Sequence, residues 1–259
     1  MRINLRTRKN SGQTLVITAL VISLLTLSIF YGVFEASRRS EMDNLTTLND
    51  YVFVTKLGLK KTVISSLANF SSGGTNEILA TNLNKYVSIV GNQAYFGKVS
   101  ILFTLLDVPP YQSGLHLSWD SEGTGLSSAY ANYSLVFTKT EANLQFKHET
   151  NITTKLDVEG TYNQLEGTAR NVTVNCKILN EGEPSLAKNI TISYELDGDP
   201  SNQEWINASS TNNIDYGNGT YRMSFIAETE SVNDPMLISA QVYDMRGIFV
   251  LANATCSET

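Results

Sequence analysis

Basic stripes, histidine pairs and cysteine clusters are all missing from this 259-residue sequence, and each absence removes a class of function. The 19 Lys and Arg residues are outnumbered by 25 Asp and Glu, for a net charge of -6. An acidic chain without a cationic face lacks the electrostatic footprint that a phosphate backbone requires, which argues against nucleic acid as a partner. The only two histidines, His116 and His148, stand far apart, and neither has a Cys, His or carboxylate at zinc-ligand spacing. No Gly-x-Ser-x-Gly elbow, His-Glu-x-x-His helix, calcium loop of alternating acids or phosphate loop occurs. Glu122-Gly123-Thr124-Gly125 has neither the Lys of a phosphate loop nor a dinucleotide spacing, so it and Pro109-Pro110 are expected to be turns. The expectation is a non-catalytic protein without cofactor or metal.

What is present begins with an uncharged run. Arg2, Arg6, Arg8 and Lys9 precede a stretch from Gln13 to Phe34 dominated by Leu, Ile and Val. About 20 apolar residues cross a hydrocarbon core as a helix. No Pro interrupts the run, and Tyr31 stands where an interface would favour an amphipathic ring. On the far side Glu35, Arg38, Arg39 and Glu41 nearly cancel, so the positive-inside rule places the N-terminus in the cytoplasm and the rest outside. A cleaved secretory signal is the alternative, but its apolar core usually runs only about 7 to 15 residues. The expected organisation is a cytoplasmic basic segment at 1–12, a transmembrane helix at 13–35, a helical stalk with an α+β ectodomain at 36–149, and a β-sandwich at 150–259.

The junction Lys9-Asn10-Ser11-Gly12-Gln13-Thr14-Leu15-Val16 resembles the class III leader of archaeal pilin-like proteins, in which a basic segment and a Gly precede Gln and a long apolar helix. That resemblance implies cleavage after Gly12. Ile17 stands where such subunits usually carry an acidic residue.

Asn-X-Ser/Thr triplets fall at Asn44, Asn69, Asn132, Asn151, Asn171, Asn189, Asn207, Asn218 and Asn253, all beyond the apolar run. Composition alone would supply about five, so the excess is modest and the one-sided distribution carries more weight. A glycan is bulky and hydrated, so its acceptor must face outward. These residues are the candidate glycosylation sites.

Leu45, Leu48, Val52, Leu59, Val63 and Leu67 recur every three or four residues and predict that the helix continues to about Phe70, where Ser71-Ser72-Gly73-Gly74 stops it. The stripe is expected to pack on its own domain, with a partner helix as the alternative. Ile78, Leu79, Leu83 and Tyr86 predict a second helix, and strands are expected at 98–106, 115–119 and 130–138. From about residue 150 the pattern is strongly β, with strands at 154–158, 172–179, 190–196, 221–227, 237–243 and 248–252. Asn180-Glu181-Gly182, Asp197-Gly198-Asp199-Pro200, Asn218-Gly219, Asn233-Asp234-Pro235 and Arg246-Gly247 separate them.

Val172 to Gly182, Ala187 to Ile192, Asp197-Gly198 and Gly217-Asn218-Gly219-Thr220-Tyr221 resemble the immunoglobulin-like modules of bacterial and archaeal surface proteins, including cell-adhesion-related repeats. The resemblance implies an all-β sandwich over about 105 residues. By period two, Val172, Val174, Cys176 and Ile178 share a core face. Cys256 lies beyond the last strand, and in an exported chain the two thiols could close as a disulfide; a buried thiol and a free or intermolecular terminal thiol are the alternatives.

Asp197 and Asp199 fit a hairpin turn more simply than a cation site. Trp119, Tyr130 and Tyr133, or Trp205 and Tyr216, would stack on a sugar if they converged on the surface, although large rings more often serve a β core. Three functions from different classes follow. The favoured one is a non-catalytic, single-pass, cell-surface glycoprotein with an envelope structural or adhesion role, in contact with membrane lipid and with protein or glycan partners. The others are a pilin-like filament subunit and an accessory ectodomain for a partner enzyme.

Overall fold

A computed structural model describes residues 8–92, 98–119, 122–139, 142–199, 204–209 and 212–259, with side chains at these positions except 8–15, 39–47, 92, 98, 139, 142 and 143. Arg2, Arg6 and Pro200 of the sequence reading lie outside the described residues, as do the side chains of Arg8, Lys9, Arg39, Glu41, Asn44 and Leu45. Contacts divide the chain into two units, Met1–Val54 and Thr55–Thr259.

The first unit is helical. Helix α1 (Arg8–Ser71) contains the stretch Val16–Arg38, which has a mean hydropathy of 2.3 and is long and apolar enough to cross a membrane. None of it is buried by protein: Val16, Leu20, Leu24 and Leu27 are each more than half exposed. Two of its hydroxyls are satisfied within the helix. Ser23 Oγ donates to the Ala19 carbonyl at 2.8 Å and Thr26 Oγ1 to that of Ile22 at 2.6 Å, which removes the cost of carrying an unpaired hydroxyl in an apolar medium.

The second unit opens with the last turns of α1, where Leu59, Val63 and Leu67 are fully buried. The last three positions of the stripe therefore pack within this unit. The helix stops where expected: Gly73 takes φ +97 and its N–H, with that of Gly74, donates to the carbonyls of Phe70 and Asn69. Helix α2 (Ile78–Asn92) returns alongside. Its Leu79 and Leu83 are buried, Asn82 Nδ2 donates to Ser66 Oγ at 3.0 Å, and the Tyr86 hydroxyl donates to the Thr55 carbonyl at 3.2 Å. A Cβ at Gly58 would run into that same ring, so the two helices approach closely because this position is glycine.

Thirteen strands follow among the described residues: β1 (Lys98–Leu105), β2 (Leu115–Trp119), β3 (Thr124–Lys139), β4 (Ala142–Gln164), β5 (Ala169–Asn180), β6 (Glu183–Pro184), β7 (Ala187–Glu195), β8 (Trp205–Asn207), β9 (Asn212–Asp215), β10 (Thr220–Glu228), β11 (Leu237–Asp244), β12 (Phe249–Thr255) and β13 (Ser257–Glu258). One sheet runs β1-β3-β4-β5-β10-β9, with β2 beside β3, β6 beside β5 and β13 parallel to β4. The other runs β12-β11-β7-β8. Strands β4, β5, β10 and β9 take the places of A, B, E and D in an immunoglobulin-type sandwich, and β7, β11 and β12 those of C, F and G, with β8 as an added edge. Val172, Val174, Cys176, Ile178, Met223 and Phe225 meet Ile192, Ile238, Ala240, Val242 and Val250 in its core. Tyr194 stacks on Phe225 with centroids 5.8 Å apart.

Strands β3 and β4 are much longer than their apolar patterns suggest. They pair from Thr124↔Asp157 to Lys139↔Ala142, and the far half of β4 then pairs with β5 from Thr154↔Asn180 to Gln164↔Arg170. The composition change near residue 150 thus lies inside one continuous strand, and residues 55–259 group as one unit. The turn expected at Glu122 to Gly125 is shorter than predicted. Gly123 bends with φ +80, whereas Gly125 is already in β3, where a Cβ would strike the Leu251 carbonyl. Ser127 Oγ donates to the Phe249 carbonyl at 2.6 Å two residues further on, so small residues let β12 cross over β3.

Both cysteines are buried free thiols. Cys176 sits on β5, the B position of the sandwich, and β11 carries no cysteine to meet it. Cys256 sits over β4, its sulfur occupying the space that a side chain at Gly160 would need. The bridge between them is not formed in the structure.

Candidate functional site

Alternation along β3 and β4 sorts their side chains onto two faces. Ala131, Tyr133, Leu135 and Phe137 point inward with Thr150 and Ile152, and Tyr130, Asn132 and Ser134 point outward with Gln145, Lys147 and Glu149. Leu102 and Thr104 of β1 join Asn132, Ser134, Gln145, Lys147 and Glu149 around a shallow groove of about 710 Å³, which Phe103, Tyr133 and His148 also line. Two of its lining residues meet the Tyr130 hydroxyl, which donates to Glu149 Oε2 at 3.0 Å and lies 3.3 Å from Asn132 Oδ1. The bond to Glu149, helped by partial desolvation, raises that hydroxyl above the usual tyrosine range. Gln145 Nε2 donates to Ser134 Oγ at 2.7 Å beside it, and Leu102 leaves 64% of its surface open. Such a face can hold a hydroxylated or amide-bearing ligand through hydrogen bonds at one end and apolar contact at the other.

The other aromatic candidates do not converge. Tyr133 lies on the opposite face of β3 from Tyr130, is buried, and stacks on His148 at 6.4 Å. Trp119 packs edge-on against Phe249 at 5.3 Å and donates from Nε1 to Ser127 Oγ at 3.3 Å. Trp205 belongs to β8 in the four-stranded sheet, whereas Tyr216 follows β9 in the other and is 53% exposed.

His148 is turned toward the helices, where burial first and the charges of Lys56 and Lys60 next lower its pKa, opposed by Glu149. His116 instead tilts against Tyr111 at 5.6 Å. Asp197 and Asp199 build their own turn: Asp199 N donates to Asp197 Oδ1 at 2.8 Å, and the Asp197 and Gly198 amides donate to Glu195 Oε2 at 2.8 and 2.6 Å. No group of three His, Cys, Asp or Glu side chains among the described residues is placed to share a metal ion.

Of the sequon asparagines, Asn69, Asn132, Asn151, Asn171, Asn189, Asn207 and Asn218 are exposed. Asn253 is half-buried, its Oδ1 enclosed without a partner and its carbonyl accepting from Gly123 N at 2.7 Å. Asn44 is on α1 with its side chain outside the described set.

Three buried polar groups have no counterpart in the sequence reading. Asp244 is fully buried, and its carboxylate accepts from the Arg246 and Ile248 amides, Arg246 Nε at 2.7 Å and Thr154 Oγ1 at 3.1 Å. Arg246 also donates to Glu181 Oε1 at 2.7 Å and to the Thr153 carbonyl at 2.9 Å, so one ion cluster joins the β11–β12 turn, the β5–β6 turn and the middle of β4. Arg170 is buried under the Tyr162 ring, 4.8 Å from its centre; it donates to Gln164 Oε1 and the Val232 carbonyl while Nη1 has no partner. Glu195 is also buried, and desolvation first of all raises its pKa. Composition offers no signal for these, because single charged residues in strand sequences read as solvent-facing. No protein-family model matches the chain, and no curated protein matches it.

Proposed function

We propose that the chain is a non-catalytic, single-pass membrane protein of the cell surface, whose glycosylated immunoglobulin-like ectodomain serves an envelope structural or adhesion role. The observation that carries this reading is the helix Val16–Arg38, apolar on every side and covered by no protein. A helix of that kind is stable only in lipid or against apolar partners. Behind it stands a sandwich of the architecture that surface modules use, with seven exposed sequon asparagines. The basic residues Arg2, Arg6, Arg8 and Lys9 support an N-terminus in the cytoplasm.

Protease added to intact cells, followed by peptide mass spectrometry of the membranes, tests the topology. The expected outcome is loss of peptides from 55–259 with retention of those before residue 38. A C-terminal unit protected until the cells are lysed would overturn it. A second reading, a pilin-like filament subunit, is supported by the Gly12-Gln13 junction. A mature chain starting at Gln13, together with filaments in negative stain, would favour that reading over an intact N-terminus.

A further inference from the structure

Three aromatics that fail to converge on one another share a different relation: the half-buried Tyr130 and Trp205 and the exposed Tyr216 each stand two residues before a sequon asparagine, Asn132, Asn207 and Asn218. Aromatic residues make up 9% of the chain, so nine sequons would carry about one at that position by composition. In a strand, two residues on bring the chain back to the same face about 7 Å away. Tyr130 and Asn132 obey this on β3, and Trp205 and Asn207 on β8. At Asn218 the same spacing is carried across the turn between β9 and β10, where Tyr216 N donates to the Thr220 carbonyl at 3.1 Å.

The three asparagines share a second feature. In each, the side-chain oxygen is turned to its own chain: Asn132 Oδ1 lies 3.3 Å from the Tyr130 hydroxyl, Asn207 Oδ1 accepts from Ser193 Oγ at 2.9 Å, and Asn218 Oδ1 accepts from Thr220 N at 3.1 Å. That leaves the amide nitrogen as the outward group. Tyr130 reaches toward Asn132 and Glu149 and so leans away from Asn151, its cross-strand neighbour.

We infer that Asn132 and Asn207 carry N-linked glycans whose first sugars are seated on the rings of Tyr130 and Trp205, and that the groove beside Asn132 is covered by the protein's own glycan. The inference rests on the glycosylated-surface reading above. In the transfer, the asparagine Nδ2 bonds to the anomeric carbon of a lipid-phosphate-linked oligosaccharide. The carbon–oxygen bond to phosphate breaks, the lipid phosphate leaves, and the amide gives up one proton. The apolar face of a pyranose then covers the ring and removes both from water, and its hydroxyls meet Glu149, Lys147 and Gln145 along the groove. Asn218, beside Tyr216, takes the same kind of seat at a hairpin tip.

Glycopeptide mass spectrometry of the full-length protein from its native membranes tests this, with Tyr130→Ala, Tyr130→Phe and Trp205→Ala beside the natural chain. Asn171 on β5, preceded two residues earlier by Ala169, is the internal control. The expected result is occupancy at Asn132 and Asn207. Y130A should lower the occupied-to-empty ratio at Asn132, and W205A that at Asn207, by roughly two- to tenfold, the range of an aromatic contact. Neither should change Asn171, and Y130F, which keeps the ring but loses the hydroxyl beside Asn132 Oδ1, should lower Asn132 less than Y130A does. Equal occupancy with and without the rings, a Y130F effect as large as that of Y130A, or sugar at Asn171 with none at Asn132 and Asn207 would each overturn the seating while leaving the glycoprotein intact. Peptides bare at every sequon would overturn the glycoprotein reading itself. Because W205A reads the opposite sheet, the proposal remains open to refutation even where Y130A fails to fold.

Discussion

Leucine meets two different solvents in this protein. Leu20, Leu24 and Leu27 in the first unit are 57 to 69% exposed, whereas Leu115, Leu135 and Leu156 in the second are at most 1% exposed. Burying such a side chain is worth about 1.5–3 kcal/mol relative to leaving it in water. The helix forgoes that gain in isolation, and the β unit collects it from strand pairing and two packed sheets. The contrast teaches that hydrophobicity alone does not separate the regions. Periodicity does: the helix is apolar around its circumference, and β5 alternates buried Val172, Val174, Cys176 and Ile178 with outward Asn171, Thr173, Asn175 and Lys177.

The largest effect that would sharpen this contrast is expected inside the β unit. Replacing Arg246 by Ala leaves the fully buried Asp244 without its cationic partner, and breaking a pair of that kind costs about 3–5 kcal/mol. Urea unfolding should show it as a lower midpoint at unchanged slope, and an undiminished midpoint would mean that the cluster is not a structural staple. In the helix, Leu24→Arg should cost about 2.5–3.5 kcal/mol of insertion free energy. The fraction of chain resisting alkaline extraction from membranes reads it, and full retention would break the assignment of that helix to lipid.

A smaller effect is expected at Gly160, where an added methyl meets the Cys256 sulfur. Gly160→Ala should lose about 1–3 kcal/mol by overpacking, and Cys256→Ala in the same chain should recover part of it, the contact with Ile238 Cδ1 remaining. Additive losses in that double-mutant cycle would show the two positions to be independent. The smallest concerns pH. Burial pushes the Cys176 and Cys256 thiols up to about 12 from an ordinary 9.0. A folded-state pKa raised in this way contributes stability that is complete below about pH 9 and is lost as pH climbs toward 12. Melting temperature followed from pH 8 to 11 should therefore fall less steeply in Cys176→Ala than in the natural chain, and parallel curves would refute this account.

Much of the β architecture was legible because turn chemistry is local. Asn180-Glu181-Gly182 reverses the chain with φ +50 at Glu181 and +87 at Gly182, and Gly198, Gly219 and Gly247 are likewise positive. Strands ending at those turns fall within a few residues of their predicted limits. The near half of β4 was illegible for the opposite reason. Leu144, Phe146 and Ile152 alternate with Asn143, Gln145, Lys147, Glu149 and Asn151, but His148 and Thr150 interrupt that apolar row, so the strand period is broken in its middle. Its extended state comes from sixteen ladder positions shared with β3, a non-local cause that no window of sequence contains. The edge strands β8 and β9 were missed in the same way, being short and held by their neighbours.

The candidate surface divides along similar lines. Sequence spacing placed Tyr130 and Tyr133 together, yet an odd separation in a strand sends them to opposite faces of β3, Tyr133 to a buried place and Tyr130 to Asn132 and Glu149.

By itself, the amino-acid sequence determined the apolar helix, its stop at Ser71 to Gly74, the sandwich strands and most of their turns, because helix period, strand period and glycine conformations act over a few residues. Only the tertiary structure decided that β4 serves both halves of the β unit, that Asp244 and Arg246 join Thr154 and Glu181 in one ion cluster, and that Asn253 is half-buried while seven other sequon asparagines are exposed. Those depend on contacts between residues distant along the chain, whose strength comes from excluding water at places the sequence does not mark.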